Sequence, residues 1–267
     1  FPDVLTSLQF ERLMCASGPT GGTILKPSDG KRPERVVFIQ CVGSRNRSVK
    51  PYCSQICCMY ATKQSITAKE HDPEIDVTVL YNDLKASGKN HEELIQRAES
   101  EYGVRYVKGL PGEVLKDIAT GKLLVRYTDL LSGNVATAES DLVVLCPAVI
   151  PSRRSEDLVR VLGIEAEENG FFKPSDSVRS IDSSIPGIYL CGMCQDPKDI
   201  SSAVTQASAA AAKAALRTGL RKAPEIAEET KEKETEAEPR IGVFVCDCGI
   251  NISSVVDVPE VVGYASS

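Results

Sequence analysis

VVFIQCVGSRNRSVKPYCSQICCMYA, residues 36–61, is the stretch on which the fold turns. Val36–Gln40 is a β-branched and aromatic run that predicts a buried strand. Cys41 follows, then a turn through Gly43, then a helix opening that carries Cys53, Cys57 and Cys58. A strand, a glycine turn and a helix N-terminus form the corner where α/β proteins cradle a phosphate. Here that corner holds four thiols, which predicts a nucleotide site converted to a metal-cluster site.

Working outward, Val4–Met14 has helical apolar spacing, and Ala16–Gly22 (ASGPTGG) is a Gly/Pro loop. Such a loop either brings backbone close to a ligand or is a plain connector. After the cysteines, Met59–Glu70 predicts a helix, Ile75–Tyr81 a strand and His91–Tyr102 a second helix. Four β-like runs follow at 104–107, 112–116, 122–127 and 136–145, with turn signals at Thr120-Gly121 and Ser132-Gly133-Asn134. Residues 35–150 therefore predict β-α-β-α-β and then an antiparallel meander, a small dinucleotide-binding type of domain.

The composition shifts from Pro151 onward. Residues 157–162 predict a short helix and Ile188–Leu190 a strand running into Cys191-Gly192. Ser201–Leu216 is an alanine-rich helix whose small side chains allow close packing on backbone or on a flat cofactor. Residues 221–240 form a charged low-complexity linker. A new strand is expected over 241–245, ending at Cys246 and Cys248. The chain opens without Met and closes on VVGYASS, and we expect it to be a piece of a larger polypeptide.

With 267 residues, 42% hydrophobic and 25% charged, the chain has the composition of an ordinary globular protein. A net charge of -6 gives no reason to expect nucleic acid as a partner. The apolar runs are too short to cross a bilayer, so no direct membrane insertion is expected. Two histidines leave little for imidazole acid–base chemistry. Ten clustered cysteines without a secretory signal point to a reduced, cytoplasmic protein with metal ligands, not to a disulfide framework.

Four thiolates are what a [4Fe–4S] cube takes. On one helix, positions 53 and 57 would share a face, with Cys58 about 100° round from Cys57. A helix N-terminus favours thiolates and an anionic cluster. A four-cysteine zinc site is the rival, although the paired CxxC knuckles usual for zinc are missing. Buried apolar cysteines are the third possibility. The turn after Cys41 has one glycine where a dinucleotide fingerprint needs three, so no NAD(P)H binding is expected there.

Three segments, TSLQFERLMCASGPTGG, CVGSR…YCSQICCMYATKQ and IYLCGMCQDPKDISSAVTQASAAAAKA, make the chain resemble the flavin-binding, iron–sulfur A subunits of heterodisulfide reductases. IGVFVCDCGINISSVVDVPEVVGYA resembles the N-terminal start of the same family. The resemblance implies an α/β, thioredoxin-reductase-like fold: a Rossmann-type domain with a β-meander plus the C-terminal part of an FAD domain. The expected domains are 1–34, the end of a first FAD-domain segment; 35–150, the nucleotide-binding-like domain with a [4Fe–4S] cluster; 151–220, the C-terminal FAD segment; the linker 221–240; and 241–267, the start of a following module.

The same resemblance implies that Cys41, Cys53, Cys57 and Cys58 ligate one [4Fe–4S] cluster, in the place where an ordinary reductase of this fold holds NADPH. It implies FAD at Gly192, Met193, Lys198, Asp199 and Ile200, with Gln206 and Ala207 on the helix aimed at the flavin pyrimidine. Lys198 would be the charge nearest the isoalloxazine, tuning its potential; a solvated loop lysine is the bland alternative. Other subunits of a heterodisulfide-reductase-like complex and ferredoxin-type carriers are the implied partners, with flavin-based electron bifurcation as the activity. The alternatives are a similar component of a quinone-interacting membrane-associated oxidoreductase and a zinc-stabilised scaffold.

The chain departs from the family in lacking the glycine-rich FAD fingerprint, which must then lie upstream or on a partner chain, and in lacking the ferredoxin-type cysteine runs. Cys191 stands where a small residue is expected and Asp196 where Gly is. Cys191 and Cys194 have CxxC spacing, but the loop offers no obvious redox partner, so packing cysteines are preferred there.

Overall fold

The chain divides into two units, Phe1–Val149 and Ile150–Ser267. The computed structural model describes residues 1–176, 178, 180–219, 242–247, 252 and 256–266. The charged linker 221–240, and Cys248 at the end of the expected last strand, lie outside the described residues.

The first unit runs β1 (Val4–Thr6), α1 (Ser7–Met14), β2 (Arg35–Val42), α2 (Cys57–His71), β3 (Asp76–Tyr81), α3 (His91–Ser100), β4 (Arg105–Lys116), β5 (Leu123–Asp129), β6 (Val135–Ser140) and β7 (Leu142–Pro147). These strands form one sheet in the order β1-β7-β2-β3-β4-β5-β6. The first five in that order are parallel neighbours, and β4, β5 and β6 pair antiparallel.

Side chains alternate across β2. Val36 and Phe38 face the helices, where Phe10 of α1 meets Phe38 edge-on with ring centroids 5.4 Å apart. Val37 and Ile39 face the other way, against Leu123 and Val125 of β5. Both faces are thus covered, which explains the unbroken apolar run VVFI in place of an alternating pattern. The meander reaches the second face because β4 shifts register between Pro111 and Glu113 and curls. Gly109 sits at that bend, where an added Cβ would lie 2.6 Å from Tyr127 Cδ2.

Several elements differ from expectation. The helix expected from Val4 starts at Ser7. Thr6 and Gln9 form a capping box there, and Val4–Thr6 pair with Val143–Leu145 as an edge strand. Residues 1–34, expected to end an FAD segment, therefore supply β1 and α1 to this sheet unit. The separate runs at 104–107 and 112–116 are the one long strand β4, and 136–145 splits into β6 and β7. In the loop 16–22, Gly18 sits under the end of α1, where a Cβ would lie 2.1 Å from the Arg12 carbonyl oxygen.

The second unit contains α4 (Ser155–Leu162), the 3₁₀ turn Gly192–Cys194, α5 (Ile200–Thr218) and α6 (Val258–Ala265). Its small core joins Ile164, Phe172 and Leu190. The strand expected at 188–190 is reduced to a single bridge, Asp182 with Tyr189. Residues 242–245 of the expected strand 241–245 are outside any strand. Helix α5 buries only Ala210, while Ile200 and Leu216 are 84% and 71% exposed. Among the described residues no helix is long and apolar enough to cross a membrane.

Candidate metal centre

Strand β2 loses register with β7 after Ile39, and Cys41 occupies the irregularity at φ 58°. A left-handed backbone costs a residue with a Cβ about 1–2 kcal/mol. Arg45 and Gln55 are left-handed too, so three of the four such non-glycine residues among those described fall between 41 and 55. Strain of this kind collects at functional sites. Its local effect is to turn Cys41 out of the ladder and towards α2.

The loop 43–56 is pinned to the end of the sheet. Val149 N–H donates to the buried Ser54 hydroxyl at 2.9 Å, and Tyr52 Oη donates to the Val149 carbonyl at 2.9 Å. Helix α2 then opens at Cys57, four positions later than a helix carrying Cys53 would require. Gln55 is left-handed, so one helix cannot run from Cys53 to Cys57. The expectation that Cys53 and Cys57 share one helical face is corrected accordingly.

Cys57 and Cys58 occupy the first turn of α2, and Ile56 in front of them supplies no side-chain cap. Helix N–H groups left free in this way favour anionic sulfur. Hydrogen bonding with Cys57 holds the Cys41 and Cys58 thiols below the ordinary cysteine range, against the effect of burial. Cys57 is pushed far up, first by its hydrogen bonds to Cys41 and Cys58 and then by burial. Cys57 and Cys58 are only 1% and 3% exposed, whereas Cys41 is half-buried.

Cys53 is not joined to these three. Its sulfur accepts the Gln55 N–H at 3.3 Å from the same loop. Cys58 accepts the Lys85 N–H at 3.4 Å. Among the described residues no three or more Cys, His, Asp or Glu side chains are gathered to hold a single metal ion. A mononuclear zinc site needs its four ligands around one centre about 2.3 Å from each sulfur. A cluster takes each thiol on a different iron. The donor set is all thiol, with N–H groups aimed at the sulfurs of Cys53 and Cys58, a chemistry that suits an iron–sulfur group.

Two neighbours escaped the sequence reading. The loop after β3 covers the site, with Arg45 and Asp83 paired at 3.3 Å and Lys85 Nζ donating to Gln55 Oε1 at 3.4 Å. Cys146 near the end of β7 is fully buried. Burial pushes it up to about 12, and the Cys58 and Cys41 charges add to that. Both lie where β2, β3 and β7 end in parallel, the edge where α/β sheets bind ligands. That rule could have flagged them.

In the second unit, the residues expected at FAD form a hydrogen-bonded knot. Gln206 Oε1 accepts the Gly192 N–H at 2.9 Å, and Gln206 Nε2 donates to Gln195 Oε1 at 2.6 Å. Lys198 is 9% exposed, so it is not a solvated loop lysine. It donates to the Gly192 carbonyl at 3.1 Å and pairs with Asp196. Asp199 is the N-cap of α5, accepting the Ser202 N–H at 2.7 Å. Met193 and Ile200 are exposed, and Ala207 lies on the open side of α5 next to Gln206.

A parallel sheet covered by helices on one face and by a β-meander on the other is a thioredoxin-reductase-like architecture. T. acidophilum thioredoxin reductase superposes with a TM-score of 0.51, covering 81% of this chain and 58% of its own, at 18% identity. No family model matches. The chain is 46% identical over 214 residues to an iron-sulfur A subunit of the CoB–CoM heterodisulfide reductase of Methanopyrus kandleri, covering 79% of this chain and 33% of that protein. It is 43% identical to the corresponding iron-sulfur A subunit of Methanocaldococcus jannaschii over 79% of this chain and 32% of that one. The A subunit of the H(2):CoB-CoM heterodisulfide,ferredoxin reductase of Methanothermobacter thermautotrophicus matches at 43% over the same shares. The chain spans about a third of the length of the curated relatives it matches. Over the matched 79% it belongs to the family of heterodisulfide reductase A subunits.

Proposed function

We propose that the chain is a flavin- and iron–sulfur-containing electron-transfer segment of a heterodisulfide-reductase-like complex that works by flavin-based electron bifurcation. The observation that carries this is the thiol group of Cys41, Cys57 and Cys58 at the C-terminal edge of the parallel sheet, where the nucleotide fingerprint is missing. The relatives are named as iron-sulfur and heterodisulfide,ferredoxin reductase components, which supports the same reading.

Cys41, Cys53, Cys57 and Cys58 would hold a [4Fe–4S] cluster, and the 192–200 turn with Gln206 and Ala207 would hold part of FAD. When bound, the cluster supplies one-electron transfer and the flavin links it to two-electron chemistry. The Gln55 and Lys85 N–H groups stabilise charge on the ligand sulfurs. Burial of Cys57 and Cys58 keeps water from them. Gln206 and Lys198 fix the turn at Gly192, and Lys198 adds a positive charge there. Further subunits and ferredoxin-type carriers are the partners, and free thiols at the described cysteines suit a reducing cytoplasm.

Anaerobic reduction followed by electron paramagnetic resonance and flavin absorbance tests this. The expected result is a cluster signal and flavin bleaching in the wild type, with the signal lost and the flavin retained in Cys57→Ser. A full signal in Cys57→Ser would overturn the ligand set.

A further inference from the structure

We propose that Ser44 is a positioning residue of the thiol site, its hydroxyl donating to the Cys41 sulfur and raising the potential of the iron–sulfur group held there. The proposal rests on the reading of Cys41 as a ligand. Ser44 is only 4% exposed, and its Oγ meets no hydrogen-bond partner. Burying a hydroxyl in that state costs about 1–3 kcal/mol. Among the described residues, Gln40 Oε1 and Gln64 Oε1 are buried and left in the same way. Both are carbonyl oxygens, which only accept. Of the three, Ser44 alone can donate to an anionic sulfur.

The loop fixes this side chain beside Cys41. Residues 41–44 form a tight turn closed by the Ser44 N–H, which donates to the Cys41 carbonyl at 3.1 Å. Cys41 at φ 58° and Gly43 at φ 77° bend the chain within three residues. The far side of Ser44 is held as well. Ser44 makes a β-bridge with Lys50, and the Arg45 N–H donates to the Tyr52 carbonyl at 2.9 Å. With the backbone held on both flanks, the hydroxyl has little freedom beyond its own rotation.

The acceptor in this turn is the Cys41 sulfur. Hydrogen bonding with Cys57 is the main cause that holds the Cys41 thiol low, and the Ser44 hydroxyl adds to it. A thiol sulfur is a weak acceptor, whereas a ligand thiolate accepts more strongly because it carries charge. The unmet hydroxyl is therefore suited to a charged sulfur. Two sulfurs of the site already have backbone donors, Cys53 from Gln55 and Cys58 from Lys85. Ser44 extends the pattern to Cys41 from a side chain, which a substitution removes without altering the backbone donors.

The test measures iron content and the midpoint potential of the iron–sulfur group in anaerobically purified wild type, Ser44→Ala and Ser44→Thr. A donor at a ligand sulfur favours the more negative, reduced state. Ser44→Ala should keep its iron and titrate at a more negative potential. Ser44→Thr retains the hydroxyl and should restore most of the shift. An unchanged potential in iron-loaded Ser44→Ala, an equal shift in Ser44→Thr, or loss of iron from Ser44→Ala would overturn the donor role and leave the ligand assignment standing. Wild type without iron would instead overturn the ligand assignment, and the role of Ser44 with it.

Discussion

The sulfur of Cys58 accepts the backbone N–H of Lys85 at 3.4 Å, tying the first turn of α2 to the loop after β3. An N–H donor at a ligand sulfur favours the more negative, reduced state of a cluster. One such bond is worth about 1 kcal/mol, or about 40 mV for a single electron. Lys85→Pro removes the donor and should lower the cluster potential by that order. Lys85→Ala keeps the N–H and should move it less. Equal shifts in a redox titration of the two variants would remove the N–H from the account.

The four proposed ligands and the fifth nearby thiol should separate cleanly. Cys57→Ser or Cys41→Ser should lose iron, whereas Cys146→Ser, on the strand behind them, should keep it. Iron analysis of the three variants decides this, and retention in Cys41→Ser would contradict the assignment.

Lys198 is buried against the Gly192 carbonyl and Asp196. A cation beside a reduced, anionic flavin raises its potential. Lys198→Ala should therefore make the flavin potential more negative, read by spectroelectrochemistry. An unchanged potential would leave Lys198 as a structural lysine of the turn.

Glu11 of α1 pairs with Lys63 and accepts from Gln64 Nε2 at 2.8 Å, joining α1 to α2. Burial opposes its ionisation, but the bonds from Lys63 and Gln64 outweigh that and hold the carboxyl below its usual range. A depressed folded-state value means that this stabilisation is present above the unfolded carboxyl's range and is lost as pH falls through the folded value. Glu11→Gln should lower Tm near neutral pH, with the gap to wild type closing by about pH 3. A gap that stays constant across the range would contradict the pairing.

Gly18 lies so close to the end of α1 that an added Cβ would stand 2.1 Å from the Arg12 carbonyl oxygen. Gly18→Ala should cost about 1–3 kcal/mol in a denaturant titration. Wild-type stability there would mean that the loop can move away, contrary to its close packing under α1.

The legible parts of the sequence were those with strong local signals. The run Val36–Gln40, the two helices after it and the turn residues of the meander were enough for the first unit's architecture. The three-residue strand β1 was hidden because its apolar pair Val4-Leu5 continues the helical spacing of α1, and only the Thr6–Gln9 cap separates them. Cys53 was placed on the helix because spacing alone does not reveal the left-handed Gln55. Cys146 and Lys85 come to the site through strand pairing across the sheet, a relation that one sequence does not display. At Lys198 only the fold shows that the charge is buried against the Gly192 carbonyl.

Iron, acid-labile sulfide and zinc content of the anaerobically purified protein tests the central claim most directly. The account predicts about four irons and four sulfides per bound [4Fe–4S] cluster, without zinc. Zinc bound without sulfide, lost together with Cys57, would contradict it and leave a structural metal site in place of an electron carrier.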